Sequence, residues 1–369
     1  MNAPQVQAGQ SIRRAPLALT AAIVIAIAFV LSACGGGSED SASAESMRSA
    51  EADTADSRAQ ALALLAPVAA TLPHAQAQTL APAGAISPGG TIGNTPTTTV
   101  GAACGLAGSE FNGSASVNLM ATYSWACNTT VRRLSANGVP NHPVGAFPNP
   151  HNPNTIAAQT IVANYTLTPV IAFKTGTAVN LPGFGLNGVK FEPGTAGTCN
   201  NAGNNCNLAG GSGTWRIEAL YQTAFNFGVD TNNAHVQPNG QYHYHGMPEG
   251  LVTKLGGDAV MRLVGWASDG FPIYARKGYI DKLNANSGLK TLKGSYRTKA
   301  VPDANRPATS LYAMGTFAQD WEYVAGLGDL DECNGRTGVT PEFPKGIYHY
   351  MVTDTYPFIQ RCVKGNPAV

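Results

Sequence analysis

The chain has 369 residues, of which 12% are charged, and a formal net charge of +1, whereas ordinary soluble domains are about 25% charged. Its 42 glycines and 24 prolines exclude a helical bundle or coiled coil, whose long helices such residues interrupt. The near-zero charge also removes the basic footprint of a nucleic-acid binder, leaving a chain of short strands and turns.

Arg13 and Arg14 precede an apolar run at residues 17–30, and Leu31-Ser32-Ala33-Cys34-Gly35 follows. A basic start and a short apolar run predict a cleaved export signal over residues 1–33 rather than a spanning helix. The small residues before Cys34 form a lipobox that resembles that of bacterial lipoproteins. The resemblance implies a diacylglyceryl group on Cys34, which would hold the mature chain to a membrane. Gly35, where an Asp would retain the protein at the inner membrane, points to the outer membrane of a Gram-negative envelope. Residues 34–100 are rich in Ala, Ser, Pro and Thr and read as a disordered tether, with a transient helix at residues 59–70.

All 13 Tyr, all 4 Trp and every Phe except Phe29 fall after residue 100. Aromatic side chains supply much of a core's buried area. The folded unit is therefore predicted over residues 101–369, as a mainly β, disulfide-bridged sandwich or barrel-like domain with few short helices. Six cysteines follow Cys34, and an even number in an exported chain predicts three disulfides. Proximity in sequence pairs Cys104 with Cys127, Cys199 with Cys206 and Cys333 with Cys362. Trp215, Ile217, Ala219 and Tyr221 alternate with polar residues at strand period, and Phe225, Phe227 and Val229 continue a second set. Residues 259–266 form a near-continuous apolar run suited to a central strand, and residues 279–286 read as a short helix.

The chemistry concentrates at Pro238-Asn239-Gly240-Gln241-Tyr242-His243-Tyr244-His245. Pro-Asn-Gly makes a turn, and a strand after it would place His243 and His245 on one face, with Tyr242 and Tyr244 on the other. Pro344-Lys345-Gly346-Ile347-Tyr348-His349-Tyr350 repeats the pattern downstream. The repeat suggests neighbouring or pseudo-symmetric strands that bring His349 to the His243/His245 pair. His235 joins as a fourth candidate, because the turn folds it back. Three neutral imidazoles make an open site for a zinc or copper ion, whereas calcium or magnesium would want oxygen ligands. The alternative is a structural His/Tyr core whose ring nitrogens bond tyrosine hydroxyls or carbonyls. Asp331 and Glu332, beside Cys333, read as a disulfide-pinned turn, with a supporting role toward the metal-bound imidazoles or a calcium site as alternatives. Tyr242, Tyr244 and Tyr348 stand as supporting residues of the same site.

Residues 232–246, 264–274 and 326–336 together resemble the YHYH domain family, and 137–149 resembles its N-terminal block. The resemblance spans roughly residues 135–362. It implies an exported protein, names a domain rather than a reaction, and adds His142 as a reserve candidate. Two functions follow: a lipid-anchored envelope protein that binds copper or zinc or uses it in catalysis, or a surface module that binds a small-molecule or cell-wall ligand. The chain has no Gly-x-Ser-x-Gly elbow, no phosphate-binding Gly-x-x-x-x-Gly-Lys and no His-Glu-x-x-His helix.

Overall fold

Alternation of inward and outward side chains builds the first sheet of the computed structural model, which describes residues 97–368. The export signal, Cys34 and almost all of the tether, including residues 59–70, lie outside the described residues. Strands β1 (Leu106–Asn112), β2 (Leu119–Cys127), β3 (Val131–Ala136) and β4 (Ile161–Thr166) form an antiparallel meander in chain order. Its inward set, including Ala121, Trp125, Leu134 and Tyr165, is buried. This face meets a second sheet. The Trp125 indole donates to the Leu186 carbonyl at 2.9 Å, and the Arg132 guanidinium lies 3.3 Å from the centre of the Trp266 ring. Two sheets thus enclose one apolar core.

The second sheet has eight strands. They are β6 (Gly183–Gly185), β7 (Lys190–Phe191), β11 (Ala234–Val236), β12 (Tyr242–Tyr244), β13 (Arg262–Ala267), β14 (Pro272–Ala275), β19 (Gly335–Gly338) and β20 (Ile347–Val352). Short ribbons decorate it. Strands β5 (Thr177–Ala178) and β21 (Cys362–Val363) pair, as do β15 (Lys277–Tyr279) with β16 (Leu289–Thr291) and β17 (Tyr296–Thr298) with β18 (Trp321–Tyr323). Strands β8 (Thr198–Cys199), β9 (Cys206–Asn207) and β10 (Trp215–Arg216) make a small satellite sheet. All three disulfides form between the sequence-adjacent cysteines.

The order across the large sheet is β11-β12-β7-β6-β13-β14-β20-β19. Read from either edge it is one pattern: an antiparallel hairpin, a parallel pairing, then an antiparallel step to the middle. The centre is the antiparallel β6–β13 pair, where Phe184 faces Trp266 across the register. A Cβ on Gly183 would run into the Trp266 carbonyl, and one on Gly265 into the Phe184 carbonyl. Two four-stranded units of equal topology therefore meet about a pseudo-twofold axis at this pair.

Local detail obeys the same symmetry. Asp230 and Asp331 each open a turn, with Asn233 and Asn334 donating back to them through backbone N–H groups at 3.0 Å. Asn233 (φ 52°) and Asn334 (φ 57°) share the left-handed conformation that Asn tolerates. The Tyr242 hydroxyl donates to Asp230 at 2.7 Å and the Tyr348 hydroxyl to Asp331 at 2.9 Å. Tyr244 meets Asn187, as Tyr350 meets Asp269.

Three expectations need correction. Residues 279–286 are no helix: Asp281 accepts from the Leu283 N–H and Asn284 from the Asn286 N–H, and these local bonds replace helical ones. Among the described residues the α-helix is α1 (Glu249–Lys254). The alternation at 215–221 yields a strand only at Trp215–Arg216, and residues 225–229 form none. The apolar run at 259–266 does supply the central strand β13.

Candidate metal centre

The Pro238-Asn239-Gly240 turn closes the β11–β12 hairpin, with Gly240 at φ 84°. In that register His235 lies directly across from His243. Alternation along the chain then puts His245 on the face that carries His243. The three rings gather with centroids 4.6–4.7 Å apart. One nitrogen from each lies within 4.8 Å of the other two, so the trio could hold a metal ion.

Backbone carbonyls aim the rings. His235 Nδ1 lies 2.9 Å from the Phe227 carbonyl and His243 Nδ1 lies 3.2 Å from that of Gln241. A carbonyl only accepts, so both Nδ1 atoms carry the proton and both Nε2 atoms present a lone pair. Such an outer bond on the second ring nitrogen is how metal-ligating histidines are usually oriented. His245 Nε2 sits 3.1 Å from His235 Nε2. Two ligands of a tetrahedral zinc, each bonded at ~2.0–2.1 Å, would be about 3.3 Å apart.

His243 and His245 are 1% and 2% exposed. Burial, followed by neighbouring positive groups, holds both well below the ordinary histidine value, and burial lowers His235 as well. All three imidazoles are therefore neutral at pH 7, the form that ligates metal. They form the floor of a cleft of about 410 Å³, lined also by Phe227, Leu208, Pro238 and Asn154.

One carboxylate borders the trio. Glu192 Oε2 is 3.8 Å from His243 Nε2, accepts from Gln237 Nε2 at 2.7 Å and pairs with Lys190. Sequence reasoning missed Glu192, because β7 is only two residues long and shows no periodicity. The signal that would have found it is the alignment of Asn187-Gly188-Val189-Lys190-Phe191-Glu192 with Asp269-Gly270-Phe271-Pro272-Ile273-Tyr274.

The structure brings His235, His243 and His245 together and places His349 elsewhere. Strands β12 and β20 are five strand steps apart in the sheet, roughly 24 Å at ~4.8 Å per step, so His349 cannot share an ion with His243. The Tyr-His-Tyr repeat marks equivalent positions in the two units, not neighbours. His349 instead meets the Tyr274 ring edge-on and the Ile347 carbonyl at 3.1 Å.

The supporting residues separate in the same way. Tyr242 and Tyr244 face away from the cleft, toward Asp230 and Asn187. His142 stacks on Tyr244 and bonds its hydroxyl at 2.6 Å, so it supports the hairpin from behind. Tyr348, Asp331 and Glu332 belong to the other unit. Asp331 anchors the turn at Cys333 and Glu332 pairs with Lys364, so neither orients the trio.

A two-sheet, disulfide-bridged β domain with a buried three-imidazole centre defines the class. The chain belongs to the YHYH protein family, whose sequence profile matches residues 162–365. No curated protein and no solved structure matches it.

Proposed function

We propose that this protein binds a zinc or copper ion outside the cytoplasm through His235, His243 and His245, with the fourth position open to the cleft. The carrying observation is the convergence of three buried, neutral imidazoles, two of them locked by carbonyls through Nδ1, with His235 Nε2 3.1 Å from His245 Nε2. Glu192, paired with Lys190 and 3.8 Å from His243 Nε2, is the carboxylate beside the proposed ion, and the open fourth position leaves room for a water or substrate ligand. The cleft admits a small molecule, so the ion would serve it as a Lewis acid or be passed on through it. Three disulfides support an oxidising compartment. Anchorage through lipid on Cys34 in the cell envelope completes the proposal, and among the described residues no helix is long and apolar enough to cross a membrane.

The test is elemental analysis of the purified mature protein. We expect one zinc or copper ion per chain, absent from His243→Ala and His245→Ala variants that remain folded. Wild-type protein that takes up neither ion, with a melting temperature indifferent to chelator, would overturn the reading.

A further inference from the structure

The pseudo-twofold axis assigns each residue of the centre a counterpart. The register pair His235–His243 maps onto Arg336–His349. His245 maps onto Met351, since each donates its backbone N–H to the left-handed Asn of its unit, Asn233 or Asn334. Glu192, next in chain after Phe191, maps onto Tyr274, next after Ile273, because Phe191 and Ile273 pair with Tyr244 and Tyr350.

The counterpart keeps the frame of a metal site. His349 is 0% exposed, and its Nδ1 faces the carbonyl two residues back, as in His243. Its Nε2 lone pair has no hydrogen-bond partner among the described residues, nor has Nε of Arg336. The space that is an open cleft in the first unit is covered here by the β15–β16 ribbon. Arg336 Nη2 donates to the Tyr279 carbonyl at 3.0 Å, and the Val339 N–H to that of Lys282 at 2.8 Å. A Cβ on Gly278 would come 2.5 Å from Arg336 Nη2, so the ribbon lies directly on the guanidinium.

We infer that the second unit carries a latent metal site at positions 336, 349 and 351, in which the Arg336 guanidinium occupies the cationic role that an ion takes among His235, His243 and His245. One ligand, His349, is retained; Arg336 and Met351 replace the other two, and the β15–β16 ribbon closes the entrance. This rests on the reading of the first centre as a metal site.

Restoring the two ligands tests it. The mature Arg336→His/Met351→His protein is titrated with Zn²⁺ alone beside wild type, with circular dichroism as the check on folding. The expected result is one additional zinc per chain, lost again when His349→Ala is added. A folded double variant that binds no more zinc than wild type overturns the inference. Zinc binding by wild type itself reads out the first centre separately.

The reverse exchange covers the case in which the double variant does not fold. His235 lines the open cleft, so His235→Arg has room for the longer side chain. It should abolish zinc binding and, with chelator present, melt no lower than His235→Ala. A lower melting temperature than His235→Ala would show that a guanidinium cannot take the ion's place in this frame.

Discussion

Strands β12 and β20 carry the same Tyr-His-Tyr run, launched from the same kind of glycine turn and supported by the same Asp-anchored loop. Around them the two units diverge. In the first, two further imidazoles and a carboxylate border an open cleft. In the second, an arginine, a methionine and a tyrosine hold the matching positions under a covering ribbon. Shared residues thus report the scaffold, and differing residues report the chemistry. The motif that names the family is mostly frame: its tyrosines tie down the turns, and among the described residues its histidines gather into a trio that could hold an ion where His235 faces them.

The turns themselves are secured differently, and the largest predicted effect exploits this. Asn232 in the first unit stands where Cys333 stands in the second. Asn232 holds its loop by donating to the Pro143 carbonyl and accepting from the Gly250 N–H, whereas Cys333 is bridged to Cys362. A bridge with a sequence separation of 29 restricts the unfolded chain by about 3.5 kcal/mol. Cys333→Ala/Cys362→Ala should lose that much in urea unfolding, and Asn232→Ala about 1–3 kcal/mol. An equal loss would show that the hydrogen-bonded loop is as firmly held as the bridged one.

Metal dependence should divide the halves next. With free zinc at a hundredfold excess over Kd, binding stabilises the fold by about 2.7 kcal/mol. Chelator should remove this from wild type and from His349→Ala, and should change nothing in His243→Ala. Loss of the metal response in His349→Ala would mean that the two units are coupled.

Acidification probes the buried histidine of the second unit, and comparison with its Gln variant separates it from the depressed histidines of the first. Burial, then Arg336, holds His349 down to about 3, while an unfolded chain's histidine titrates near 6.5. Below pH 6.5 the unfolded state takes up a proton that the folded state refuses, so stability falls as pH drops toward 3. The slope for one such group is ~1.4 kcal/mol per pH unit, giving about 2 kcal/mol between pH 6.5 and 5. Urea titrations at pH 7 and 5 should show His349→Gln losing that much less than wild type over the interval.

How far the sequence displays this architecture follows from the range of each interaction. The disulfide pairs and the nearness of His235 to the His243/His245 pair are visible, because each depends on neighbours in sequence or on one tight hairpin. The distance of His349 from the trio is not visible, since it depends on the order of eight strands, and local resemblance carries no information about that order. Glu192 escapes notice for a related reason. It reaches His243 through a parallel pairing of β7 with β12, across roughly fifty intervening residues. The failed helix at 279–286 is the opposite case, where Asp281 and Asn284 redirect the backbone within their own segment.

The smallest difference concerns the two tyrosines that tether the turns. Asp230 Oδ2 accepts from Tyr242, and also from the Gly145 N–H at 3.0 Å and Asn232 Nδ2 at 3.2 Å. Asp331 Oδ2 has the Tyr348 hydroxyl at 2.9 Å and, among the described residues, otherwise the Lys364 ammonium, 3.9 Å away. Removing a phenol therefore leaves Asp230 Oδ2 with two donors and Asp331 Oδ2 with none at hydrogen-bond distance, while the Cys333 and Gly335 N–H groups still hold Asp331 Oδ1 at 3.0 Å. Burial already raises Asp331, and the Tyr348 hydrogen bond works against that rise. Tyr348→Phe should accordingly lose about 1–2 kcal/mol and Tyr242→Phe about 0.5–1 kcal/mol, measured as urea midpoints at pH 7 on chelated protein. The same ranking should shrink as the pH falls, because a protonated Asp331 no longer depends on a donor. A larger loss from Tyr242→Phe would place the greater strain of tethering in the unit that carries the cleft.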